Sequence, residues 1–237
     1  MSDGRRGPLI GHLEELRSRV IKAAIAVVVG TVIAFVFRTQ IFDLIIAPYA
    51  AVAGDDDLVF FKPTEAFALY MRLALFGGII IASPVILFQL WRFVAPALSR
   101  RERRAVIPVV AVLTVLFVGG IAFGYWILEY GLDFLLGFGG DQLTPVIGGN
   151  EYVSFAVQFL LVFGLAFEFP VFLYLAALVG ALTWQRLARA RRGALVTILV
   201  VSAVVTPGDV FTMLAMAVPV YAMYEITILL IRLTIRR

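Results

Sequence analysis

The sequence predicts an all-α polytopic membrane protein, and three observations carry that reading. Of its 237 residues, 62% are hydrophobic and only 15% charged, with a mean hydropathy of +1.00, far too apolar for a soluble domain to cover with polar surface. Apolar runs long enough to cross a hydrocarbon core of about 30 Å recur along the whole chain. Lipid satisfies no backbone polar group, so each run must close its own hydrogen bonds as a helix.

The N-terminal stretch "MSDGRRGPLIGHLEELRSR" lacks the short apolar core and small-residue cleavage site of a signal peptide. A first span is expected at about residues 20–37, followed by a loop carrying Asp43 and the acidic "GDDD" of 54–57. A second span follows at about 67–90, then an arginine-rich stretch at 92–104. A third, at about 105–127, leads into a loop with Glu129, Asp133, Asp141 and Glu151, and a fourth at about 153–180 ends at "RLARARR". The remaining apolar material is interrupted by "TPGD" at 206–209, whose Pro-Gly pair signals a turn. That leaves two short spans, about 193–206 and 210–231, in a single membrane domain of residues 1–237. At about 1.5 Å per residue the fifth span is too short for a full hydrocarbon core, so local thinning or heavy tilt is expected.

Charge sets the orientation. All but three of the 20 Lys and Arg residues fall on one side, leaving Arg38, Lys62 and Arg72 on the other. By the positive-inside rule the arginine-rich side, with both termini, is cytoplasmic. The pI near 9.6 therefore reports membrane orientation and not a nucleic-acid surface, because the basic residues sit in short clusters between apolar spans. No internal repeat of the kind seen in many secondary transporters is visible.

The residue inventory disfavours catalysis, metal and cofactor binding. The chain has no cysteine and one histidine, His12, which removes thiolate sites and every motif that needs two histidines. No glycine-rich phosphate loop and no pair of intramembrane aspartates is present.

The polar residues that remain are the candidates for function. In "GHLEELRSR", His12, Glu15 and Arg19 fall at helical spacing on one face; local pairing and a functional site both fit. In "LSRRERRAVIP", Glu102 stands among four arginines. A surface ion pair there contributes about 1 kcal/mol or less. Alternatively, Glu15 and Glu102 form two carboxylates on one side of the membrane that bind a cationic peptide. Glu168, in "LAFEFPVF", lies near the middle of the fourth span without Lys or Arg at that depth. An ionised carboxylate there costs several kcal/mol unless hydrated or paired, so the residue reads as functional. Pro170, two residues on, frees a carbonyl and kinks the helix. Gln89 and Glu225 are expected as interhelical hydrogen-bond partners, and Asp209 as a cap for the last span.

"PLIGHLEELRSR", "SPVILFQLWRFVAPALSRRERR", "FGLAFEFPV" and "TPGDVFTMLAMAVP" resemble the TatC family, the polytopic receptor subunit of the twin-arginine protein translocase, over nearly the whole chain and in the same order. The resemblance implies six transmembrane helices in a concave, glove-shaped bundle in the cytoplasmic (inner) membrane of a prokaryote. It implies a receptor for the twin-arginine signal peptides of folded cargo, assembled with TatA and TatB in a homo-oligomeric receptor complex driven by the proton-motive force. It places the signal-peptide contacts on Glu15 and Glu102, with Arg17, Phe93, Pro96, Leu98 and Arg104 in the surrounding motif positions. Glu168, Gln89 and Asp209 become the polar positions of translocation. Gly208 departs from the family, which commonly has a second proline there. A second reading, a proton-coupled small-solute transporter using Glu168, rests on the buried carboxylate in a kinked helix.

Overall fold

The computed structural model describes residues 6–54, 58–94, 106–138, 146–206 and 209–235. They form eight helices: α1 (Arg6–Val36), α2 (Arg38–Ala53), α3 (Glu65–Val94), α4 (Val106–Gly137), α5 (Gly149–Leu178), α6 (Trp184–Arg189), α7 (Arg191–Val205) and α8 (Val210–Thr234). Five stretches among the described residues are long and apolar enough to cross a membrane: Leu13–Val36, Glu65–Phe93, Val106–Gly137, Gly149–Leu178 and Val210–Thr234. The chain is a multi-pass membrane protein. The expected fifth span is α7, whose 15 residues reach only about 22 Å.

The helices extend beyond the apolar runs. The N-terminal "HLEELR" motif is the beginning of α1, and α4 continues from the expected end near 127 to Gly137. Charged residues at a helix end lower the hydropathy without breaking the backbone ladder, so an apolar count stops short of the helix. The loop expected after the first span is helical over α2, a correction with a clear cause. Ile45, Pro48 and Tyr49 fall on one face at helical spacing and are buried, while Asp43 lies on the exposed face. α2 lies beyond the end of α1 that is remote from the arginine-rich segments, and packs across α3, α4 and α5.

α1 packs chiefly on α3, α4 on α5, and α7 on α8. The main core joins α2 through α8 around Leu73, Leu128, Val153, Leu160, Phe163 and Ile231. α1 and α3 meet backbone to backbone. A Cβ on Gly30 would lie 2.5 Å from the Gly78 carbonyl oxygen, and one on Gly78 would lie 2.5 Å from the Thr31 nitrogen. Small residues give this closeness, which van der Waals contact rewards inside lipid. Gly120 and Gly124 do the same for α4, receiving Phe163 and Phe167 of α5.

Prolines inside the helices free carbonyls, and side chains recover two of them. Pro48 leaves the Leu44 carbonyl without its helical donor, and the Tyr125 hydroxyl donates to it at 2.8 Å. Pro84 frees the Ile80 carbonyl, which accepts from the Ser83 hydroxyl at 2.8 Å. Tyr152 adds a buried hydrogen bond to the Ile45 carbonyl at 2.7 Å. At the same end, Val59 N–H donates to the Ile147 carbonyl at 3.2 Å and Gly149 N–H to the Val59 carbonyl at 2.9 Å. Arg72 donates to the carbonyl and side-chain oxygens of Asn150, both at 3.1 Å.

Candidate functional site

The glycine contact fixes the register of α1 against α3. The two helices run in opposite directions, so fifteen residues from Gly30 toward the arginine-rich end leads to Glu15, and fifteen from Gly78 leads to Phe93. Glu15 and Phe93 therefore stand at one height, about 22 Å from the glycine contact. Glu15 pairs with Arg19 one turn along α1, while Arg17 is exposed on the same helix. Phe93 is half-buried in the last turn of α3; Gln89, half-buried, lies one turn before it. Beside them Arg92 sits over the Phe88 ring at 5.8 Å, and buried Trp91 packs with Leu175 of α5. Pro96, Leu98, Glu102 and Arg104 lie outside the described residues.

Glu168 sits within α5, two residues before Pro170, and is only 2% exposed. Neither carboxyl oxygen has a hydrogen-bond partner among the described residues. On α5 it shares a stripe with Gly164, which packs on Phe117 and Ile121 of α4, and with Leu175, which packs against Trp91 of α3. The polar group is thus inside the bundle, with its hydrogen-bonding capacity unused.

Asp209 caps α8. Its Oδ1 accepts from the Thr212 backbone N–H at 2.7 Å, and Oδ2 accepts from the Thr212 hydroxyl. Glu225, expected as an interhelical hydrogen-bond partner, takes that part with Arg191 of α7. Arg191 Nη2 donates to Oε2 at 2.8 Å and Nε lies 2.8 Å from Oε1, while the Tyr221 hydroxyl donates to Oε1 at 3.1 Å. The partner is a charge from "RLARARR", which the linear sequence shows only as an orientation signal. Between α5, α7 and α8 lies an apolar groove of about 340 Å³, walled by Leu165, Ala166, Phe169, Thr197 and Val201. Ser202 also lines it, and its buried hydroxyl has no partner among the described residues. Among the described residues no group of three His, Cys, Asp or Glu could hold a metal ion.

Fold and site together define a multi-pass helical membrane protein with polar residues at both ends of its helices and at isolated buried points. Residues 11–219 match the family model described as TatC, Sec-independent protein translocase protein, and the chain belongs to that family. It is 40% identical over 233 residues to the Sec-independent protein translocase protein TatC of Aquifex aeolicus, covering 97% of each chain. With that of Carboxydothermus hydrogenoformans it shares 40% identity over 222 residues, 93% of this chain and 90% of the relative. A crystal structure of the twin arginine translocase receptor TatC superposes with a TM-score of 0.82 at 40% identity, covering 95% of this chain and all of the other. The small-solute transporter reading finds no support among these relatives.

Proposed function

We propose that this chain is the signal-peptide receptor and core component of a twin-arginine translocase, exporting folded proteins across the cytoplasmic membrane with the proton-motive force. The observation that carries the reading is the α1–α3 register, which brings Glu15 level with Phe93 at the start of the segment that holds Glu102. An arginine pair offers two planar, permanently charged forks, and two separated carboxylates each grip one in a bidentate arrangement that lysine does not reproduce. Arg17, Phe93, Pro96, Leu98 and Arg104 complete this surface. The Glu15–Arg19 pair is its resting state, in which an internal arginine occupies the place of the peptide's.

In this reading α7 is a short fifth span that brings the number of spans to six, the bundle is concave, and both termini lie in the cytoplasm beside the arginine-rich segments. Glu168 acts in translocation, supported by its burial without a hydrogen-bond partner among the described residues. Gln89 and Asp209 serve as supporting polar positions. The apolar groove, whose Ser202 hydroxyl has no partner among the described residues, suits single-span subunits of the TatA and TatB type, and receptor copies assemble as a homo-oligomer. The test is photo-crosslinking of a twin-arginine signal peptide to the membrane-embedded chain. Glu15→Gln and Glu102→Gln should each reduce crosslinking at least severalfold, and undiminished yield in both would remove these carboxylates from the binding surface.

A further inference from the structure

The α6–α7 corner carries four arginines, Arg186, Arg189, Arg191 and Arg192, all exposed. From residue 169 to residue 208 the sequence holds no Asp or Glu, and α8, packed against the corner, offers only Glu225. Glu225 is taken by Arg191, so Arg186, Arg189 and Arg192 have no carboxylate partner among the described residues.

Three contacts fix how deep the corner sits. Arg232, near the cytoplasmic end of α8, lies over the Trp184 ring at 5.2 Å, which sets the start of α6 level with residue 232. The Tyr224 hydroxyl donates to the Leu187 carbonyl at 2.8 Å, and the Arg191–Glu225 pair follows. The chain therefore descends along α8 as it passes through α6. Arg189, Arg191 and Arg192 end about 10 Å nearer the bilayer centre than Arg232, at seven residues of 1.5 Å rise. The corner is also fixed in shape: Leu187 is buried and the Thr183 hydroxyl caps α6 by accepting from the Arg186 N–H at 3.3 Å.

We infer that Arg189 and Arg192, with Arg186 at the rim, form a binding site for the phosphate headgroup of an anionic phospholipid of the cytoplasmic leaflet. Exposed guanidinium groups below the headgroup plane need a counter-charge, and protein carboxylates supply only one. Membrane phosphate is the anion nearest to that position, and planar guanidinium forks hold it in bidentate fashion. The bound headgroup is drawn inward beside the short α7, which thins the leaflet on that side. The proposal depends on the membrane orientation above and not on the signal-peptide surface.

Native mass spectrometry of the full chain, released from micelles holding equal phosphatidylglycerol and phosphatidylcholine, tests it. The unaltered chain should retain phosphatidylglycerol about tenfold over phosphatidylcholine. Arg189→Gln/Arg192→Gln should fall to near parity, while Arg189→Lys/Arg192→Lys, which keeps the charge but loses the bidentate fork, should fall partway. An unchanged preference in the glutamine variant overturns the site, and so does displacement of the lipid by excess soluble glycerol phosphate, which would mark a free-phosphate site. Should the glutamine variant fail to fold, a Trp91→Phe/Trp126→Phe chain, which keeps Trp184 as its single tryptophan, provides the check. Its fluorescence should be quenched more by brominated phosphatidylglycerol than by brominated phosphatidylcholine, through Trp184, and equal quenching overturns the proposal.

Discussion

Gly30 of α1 and Gly78 of α3 meet with no room for a side chain on either, a Cβ on each falling 2.5 Å from backbone of the other helix. This contact sets the height of Glu15 against Phe93. Gly78→Leu should separate the helices and lower the thermal unfolding temperature in detergent, at a cost of about 1–3 kcal/mol. Gly119→Ala, where a Cβ meets nothing within 4 Å, should leave it unchanged. Because the proposed receptor surface rests on this register, Gly78→Leu should also reduce signal-peptide crosslinking.

Tyr125→Phe leaves the Leu44 carbonyl without a donor at the position where Pro48 has already removed one. Because the bond is exposed, a loss of about 0.5–1.5 kcal/mol is expected. Hydrogen exchange should rise within α2 and not in α7 or α8, since the bond joins α4 to α2. Uniform exchange across the chain would mean that α2 does not depend on this hydroxyl.

Glu168→Leu separates stability from function. A buried carboxyl with no partner among the described residues gives up no hydrogen bond when replaced, so unfolding in detergent should be unchanged or raised. Export of a folded twin-arginine cargo should fall at least tenfold. If stability drops as well, the carboxyl has a structural partner and the translocation role loses its support.

The Arg191–Glu225 pair is half-exposed, with 51% and 32% of the two side chains accessible, so its contribution is discounted to about 1 kcal/mol or less. A double-mutant cycle with Arg191→Ala and Glu225→Ala should give a coupling of that size. Zero coupling would show that the α7–α8 contact rests on apolar packing alone.

Asp209→Ala should cost about 1 kcal/mol by removing the acceptor of the Thr212 N–H, and Asp209→Asn much less, since the amide oxygen can still accept. Circular dichroism melts of the two variants would separate capping from a need for charge.

Much of this was legible in the linear chain. Apolar runs marked the membrane class, Asp209 was read correctly as a cap, and Glu225 as an interhelical partner. α2 was not, because Asp43 and the acidic residues after it masked a short helix whose buried residues are Ile45, Pro48 and Tyr49. Its sequence did hold one clue: Pro48 in an apolar stretch announces a freed carbonyl that needs a donor.

The sequence by itself determined the solvent. Hydrophobicity and backbone hydrogen bonding are properties of each segment alone, so composition suffices to require helices in lipid. Tertiary structure alone decided which residues share a height. The identity of Glu225's partner, the tyrosines that reach Leu44 and Ile45, and the register joining Glu15 to Phe93 all depend on how one helix slides along another. That sliding is fixed by steric contacts such as Gly30 on Gly78, between residues that lie far apart along the chain and carry no charge or periodicity to announce each other.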